Sequence, residues 1–114
     1  MKNLLFVMTA IAVFMTGTAH GATDLELRVK QCYNSGRTAK LVFQEFRNGK
    51  SKAEITQEFI EAVESAGLKS VQPETMARFT RIVNQARSKV IIPDYSSDRF
   101  RGFIEGQCLG ETRK

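Results

Sequence analysis

The sequence predicts an all-α fold, a small bundle of four helices (or five, if the first is split) closed by one disulfide. Its length of 114 residues allows one small domain. In four stretches apolar residues recur every three or four positions, and no stretch shows the alternation of a strand. Helices without a sheet must bury their apolar faces against one another, which predicts a bundle. The two cysteines predict its closure.

The first 21 residues are predicted to be a cleaved signal peptide. A positive charge at Lys2 precedes an apolar run over 4–15 and then small residues, the order typical of secretory signals. Cleavage after Gly21 is favoured, and cleavage after Ala19 or Ala22 is the alternative. The apolar run is shorter than the roughly 20 residues that span a bilayer, so a retained membrane anchor is less favoured. We therefore expect a periplasmic or secreted domain at 22–114, without stable membrane insertion.

The first helix is predicted from about Asp24 to Arg47. Its apolar face comprises Leu25, Val29, Cys32, Gly36, Ala39, Phe43 and Phe46. The segment 34–36 combines Asn, Ser and Gly, which favour helix poorly, so a kink or a split is expected there. Gly49 suits the left-handed position that ends a helix.

The second helix begins at a capping box formed by Ser51 and Glu54, and Gly67 closes it. The third begins with Pro73 and stops before Pro93. The fourth is predicted from residue 96 or 97 to the residue before 110. The expected core is rich in phenylalanine: Phe43, Phe46, Phe59, Phe79, Phe100 and Phe103.

The two cysteines, Cys32 and Cys108, are predicted to form a structural disulfide. Expected export, an even count and positions on apolar faces favour this pairing. A redox-active or metal-binding pair is the alternative, which the lack of neighbouring ligands disfavours.

The sequence also limits the chemistry that the protein can perform. The one histidine, His20, precedes the favoured cleavage site, which excludes His-dependent nucleophilic catalysis and His-containing zinc sites from the mature domain. We predict no catalytic residue, no cofactor and no metal. A carboxylate-pair hydrolase acting on cell-wall glycans is the enzymatic alternative. Its candidate residues are Glu54, Glu58, Glu61, Glu64, Glu74 and Glu105.

Charge is unevenly distributed along the chain. Residues 69–90 contain five Lys or Arg and one Glu, whereas residues 51–68 contain four Glu and one Lys. We predict a partner-binding surface on the third helix and the loop after it, comprising Arg78, Arg81, Lys89, Ile92 and Tyr95. The alternatives are that the charged faces are merely solvated and that Tyr95 folds back over the core. Nucleic acid is disfavoured as a partner by export, by the acidic second helix and by the lack of a base-stacking motif.

The layout resembles small exported two-cysteine α-helical proteins of bacteria and phages, which have no known function. The resemblance is carried by the segment 46–51 (FRNGKS), the turn 91–96 (IIPDYS), Cys32 early in the mature chain and an aromatic helix ending near Cys108. It implies a helical fold but no activity and no functional residue.

The function favoured by the sequence is an exported, non-enzymatic module that binds a protein in the cell envelope. An immunity or inhibitor protein, or a phage modulator of lysis or superinfection, would need only a stable bundle and a surface. An envelope-stress or chaperone-like protein is the alternative, and a carboxylate-dependent hydrolase is less favoured.

Overall fold

The computed structural model of the protein describes residues 24–67 and 72–112. Over these residues the chain forms four helices and no strand: α1 (Asp24–Arg47), α2 (Lys52–Ser65), α3 (Pro73–Val90) and α4 (Ser97–Thr112). The predicted all-α fold with four helices is therefore confirmed. The predicted signal peptide at 1–21 lies outside the described residues.

Of the two alternatives predicted for 34–36, a kink or a split, the split does not occur, because α1 is one continuous helix. Gly36 is buried where α1 meets α4, and a Cβ atom there would overlap the side chain of Glu105. Glycine lets the two helices approach closely at this point, so the packing gained offsets its poor helix propensity. Gly36, which lowers the predicted helix propensity of 34–36, is thus the residue that allows α4 to pack closely on α1.

Replacing Gly36 by alanine is therefore expected to destabilise the protein, by about 1–2 kcal/mol, because Glu105 must move away from its ion pair with Arg101. The Glu105→Ala background supplies the control. There the added Cβ has room, and Gly36→Ala is expected to stabilise by up to about 1 kcal/mol through helix propensity. Urea denaturation of the four proteins measures this reversal, and the same sign in both backgrounds would contradict the close-approach explanation.

The ends of α1, α2 and α3 follow the predicted capping signals. Gly49 has φ +92°, and the amides of Gly49 and Lys50 donate to the carbonyls of Phe46 and Glu45, which is a Schellman motif. The predicted capping box of Ser51 and Glu54 is present in both directions. Pro73 is the first residue of α3. The groups that form these caps lie within a few residues of one another, so the caps can be predicted from the sequence.

Helix α4 begins as predicted but ends later. The hydroxyl of Ser96 accepts a hydrogen bond from the amide of Arg99 at 3.0 Å and caps the helix. The predicted end before Gly110 is wrong, since α4 continues to Thr112. Contacts of the last turn account for the extension, because Cys108 is bonded to α1 and Glu111 pairs with α3.

Helix α1 is the centre of the bundle, and α4 runs antiparallel along it. Lys40 reaches Asp98 at the start of α4 (2.7 Å, Nζ to Oδ1), while Cys32 is bonded to Cys108 near its end. Helix α3 also packs on α1, and α2 packs against α3. This arrangement leaves a groove bordered by α1, α3 and α4.

The core contains most of the predicted aromatic residues. Phe43, Phe59, Phe79 and Phe100 are at most 1% exposed, and Phe46 and Phe103 are partly buried at its edge. The rings of Phe59 and Phe79 stack with centroids 4.0 Å apart and join α2 to α3.

The predicted apolar face of α1 extends too far toward its start. Leu25 and Val29 are 60% and 44% exposed, so the expectation that they are buried is wrong. Because α4 is antiparallel and meets α1 through Cys32 and Cys108, only its last described turn reaches the first two turns of α1, and the side that carries Leu25 and Val29 stays exposed.

Candidate functional site: a basic cleft beside the disulfide

The predicted disulfide is formed. Cys32 and Cys108 are bonded with their Cα atoms 5.3 Å apart, a separation ordinary for a disulfide. Cys32 is 1% exposed and Cys108 is half-buried. The bond fixes α4 against α1 at the end of the bundle where the groove opens.

A cleft of 280 Å³ lies beside the disulfide. Each of three helices contributes four residues: Arg28, Gln31, Cys32 and Ser35 from α1; Arg78, Arg81, Ile82 and Gln85 from α3; and Ile104, Gln107, Cys108 and Glu111 from α4. The spacings of three and four on each helix place one continuous face of that helix toward the cleft. The site therefore depends on the packing of all three helices.

The floor of the cleft is buried and its rim is polar. The floor includes Cys32, Ser35, Ile82 and Ile104, all less than 5% exposed. The side chains of Arg28 and Arg81 are exposed at the rim, and Arg78 is half-buried. Long guanidinium side chains over an apolar floor keep their charge partly in water while their stems cover the core.

The charge of the cleft is basic, with three arginines against one glutamate. The Nη1 of Arg81 donates a hydrogen bond to Oε2 of Glu111 at 3.2 Å, and both side chains are more than half exposed. One carboxylate of the chain itself is therefore already held by a cleft arginine.

The structure separates the residues of the predicted partner surface. Arg78 and Arg81 line the cleft, as does Gln85 on the same side of α3. Lys89 lies elsewhere, with its Nζ 4.9 Å from the ring centroid of Phe103 and 5.8 Å from that of Tyr95. Ile92 is 40% exposed in the loop after α3.

Tyr95 is 6% exposed and belongs to the core, so it is not an accessible contact. The alternative, that it folds back over the core, is what the structure shows. Pro93 stops α3, and Asp94 adopts φ +63°, a left-handed conformation that Asp tolerates and that turns the chain inward. The Tyr95 ring then lies 6.0 Å from Phe43, and its carbonyl accepts a hydrogen bond from Arg47.

Sequence reasoning missed the cleft residues on α1 and α4, chiefly Arg28 and Glu111. A signal for them was present. Arg28 precedes Cys32 by one turn and Glu111 follows Cys108 by almost one turn, so the predicted disulfide places both at the same end of an antiparallel pair. No signal in the sequence indicated that α3 would form the third side of the cleft.

The glutamates considered for catalysis do not gather around the cleft. Glu54 caps α2, Glu58 pairs with Lys50, and Glu105 pairs with Arg101. Sequence reasoning missed Glu45, which is 3% exposed and bonds to Lys50 at 3.0 Å. Lys50 thus bridges two carboxylates, one from α1 and one from α2.

Burial raises the pKa of Glu45 above its ordinary value of 4.5, an effect opposed by the hydrogen bond from Lys50 and reinforced by Glu58. The hydrogen bond to Glu58 is the main cause that raises the pKa of Lys50 above 10.5. Stability from the protonated Glu45 is fully present below pH 4.5 and is lost as pH rises through its folded pKa. Stability from Lys50 is retained up to pH 10.5 and lost above that.

Lys50→Met is expected to cost about 2 kcal/mol at pH 7, because the buried Glu45 carboxylate loses its counter-charge. Adding Glu45→Gln should restore most of that loss, since the unpaired charge is then removed. Chemical denaturation at pH 5 and pH 7 measures both effects, and the Lys50→Met variant should lose less stability at pH 5. Equal losses at both pH values would contradict the burial of a charged Glu45.

Fold and site together define a disulfide-linked helical bundle with a basic cleft. Comparisons with protein-family models, with curated proteins and with solved structures found no match to the chain. Among the described residues, no helix has the length and apolar character needed to cross a membrane, and no group of three or more metal-ligating side chains comes together.

Proposed function

We propose that this chain is an exported, non-enzymatic module that binds a protein partner in the cell envelope. The observation that carries the proposal is the basic cleft built by three helices around the disulfide. A disulfide favours an oxidising setting outside the cytoplasm, because intracellular thiols are kept reduced. The disulfide lies beside the cleft and would hold the shape of this binding surface outside the cell.

The chemistry of the cleft supports binding over catalysis. Its polar side chains are mainly guanidinium and amide groups, which donate hydrogen bonds and stay protonated or neutral near pH 7. Acid–base catalysis requires groups that exchange protons at working pH. Glu111 is the one carboxylate of the cleft, and it is exposed and paired with Arg81.

Ile91 and Ile92 form a second exposed patch, at the other end of α3 from the residues that line the cleft. They are 78% and 40% exposed at the end of α3, the helix that supplies Arg78 and Arg81. Exposed aliphatic side chains provide apolar area for contact, while the arginines of the cleft direct the encounter with an acidic surface. An immunity or inhibitor protein, or a phage modulator of lysis or superinfection, fits such a module.

Site-specific photo-crosslinking in intact cells tests the proposal. A photoreactive amino acid replaces Gln107 at the cleft or Ile92 at the end of α3, and the matched control replaces Glu64, which is exposed on α2. We expect one product of defined mass at the first two positions, reduced by Arg78→Ala combined with Arg81→Ala. Products no stronger than those of the Glu64 control would overturn the proposal.

A chaperone-like protein is the second candidate, favoured by a different surface. Leu25, Val29 and Tyr33 are 60%, 44% and 54% exposed and lie four residues apart on one side of α1. Such a stripe could hold unfolded clients through apolar contact. Suppression of client aggregation that is lost in a Leu25→Ser, Val29→Ser variant would favour this function, and no suppression by the native protein would remove it.

A further inference from the structure

The ion pair between Arg81 and Glu111 indicates which ligand chemistry the cleft accepts. Glu111 comes from the last turn of α4, and its carboxylate binds Arg81 at the cleft rim. We propose that the cleft binds an acidic segment of the partner protein, one carboxylate of which displaces Glu111 from Arg81. This inference rests on the proposed function and names the chemistry of its partner.

The shape of the cleft suits a side chain that enters from outside. Its volume is 280 Å³, and pockets that hold drug-sized molecules enclose most of the ligand. This cleft is open at the rim, so an Asp or Glu side chain can enter while the rest of the segment stays outside.

The donors of the cleft match a carboxylate. Arginine presents a planar pair of N–H groups that bind both oxygens of a carboxylate at once. Arg28 and Arg78 stand on different helices from Glu111 and add positive charge to the same site. Gln31, Gln85 and Gln107 line the cleft from all three helices, and each side-chain amide carries N–H donors as well as a carbonyl acceptor. An incoming acidic residue therefore meets an excess of donors over acceptors.

Displacing Glu111 from Arg81 costs little free energy. Arg81 and Glu111 are 55% and 57% exposed, and an ion pair in that setting contributes little because water already solvates both groups. A partner carboxylate that reaches deeper, toward the half-buried Arg78, is screened less. Glu111 thus acts as a weak internal competitor that the partner must replace.

Binding of short peptides to the intact disulfide-bonded protein tests the inference. The probe is a fluorescent peptide of alternating Glu and Gly, and the matched peptide has Gln in place of Glu. Anisotropy at low salt should show binding of the Glu peptide only. Arg78→Gln or Arg81→Gln should weaken it about tenfold, since each removes a charge-assisted pair. Arg87→Gln is the matched control, because Arg87 is an exposed arginine of α3 outside the cleft, and it should change affinity less than twofold.

The Glu111→Gln variant tests whether Glu111 competes with the peptide for Arg81 or whether the peptide responds only to the net charge of the protein. It should tighten peptide binding about threefold more than Glu74→Gln does, although both remove one negative charge, because Glu74 lies outside the cleft. Equal effects of these two variants, or of the Arg81 and Arg87 variants, would overturn the inference. So would complete competition by millimolar inorganic phosphate, which would assign the cleft to a free anion. If peptides fail while crosslinking at Gln107 persists, the acidic ligand is wrong and the binding function stands.

Discussion

Cys32→Ser is expected to lower the free energy of unfolding by about 4.5 kcal/mol, because the disulfide closes a loop of 76 positions. Small domains are stable by only about 5–15 kcal/mol, so this variant should be partly unfolded near 37 °C. Urea denaturation monitored by circular dichroism measures the loss as a shift of the midpoint. The cleft should weaken with it, since the bond holds α1 and α4 at that end of the bundle.

The control for this prediction is the set of three cysteine variants. Cys108→Ser should match Cys32→Ser, and the double variant should be no less stable than either, because all three lose the same closure. Alkylation of the native protein without reductant should label no thiol. Two labelled thiols, or losses that add in the double variant, would contradict a single intramolecular bond.

Tyr95→Ala is expected to destabilise the protein by about 3 kcal/mol, in the range of large-to-small substitutions in a core. The ring packs on Phe43, and both Lys89 and Arg99 lie within 6 Å of its centroid, so its removal leaves a cavity under two cations. For a domain of this size, about 3 kcal/mol lowers the melting temperature by about 15 °C.

Two matched variants make the Tyr95 result interpretable. Tyr95→Phe keeps the ring and should cost less than about 1 kcal/mol, and Ile91→Ala, at an exposed position of the same loop, should cost about 0.5 kcal/mol or less. Partner binding by the folded fraction of Tyr95→Ala should equal that of the native protein. An unchanged melting temperature with weakened binding would instead place Tyr95 on the surface.

Features fixed by neighbouring residues were predictable from sequence, and features fixed by packing were not. The capping box at Ser51 and the left-handed Gly49 depend on groups within three or four residues. Gly36 was misjudged because propensity describes an isolated helix, whereas its role depends on Glu105, which lies 69 positions away in the chain. Leu25 was misjudged because periodicity shows which side of a helix is apolar but not how far its neighbour extends.

The candidate site shows the same division. The basic side of α3 with Arg78 and Arg81 was visible as charge at helical spacing. The cleft itself was not, because it requires α1, α3 and α4 to meet at one end. Glu45 escaped notice for a related reason: a glutamate near a helix end normally faces water, and only the return of Lys50 over it permits burial.

The antiparallel contact between the first and last described helices also dictates the order in which the bundle can assemble. Helix α1 makes its largest interface with α4, whose residues are the last of the described chain to be synthesised. At about 5–20 residues per second, the stretch from Cys32 to Cys108 takes several seconds to emerge. During that interval the nascent chain holds an unpaired thiol and an uncovered glycine face on α1. Folding of this bundle therefore cannot be completed before α4 becomes available.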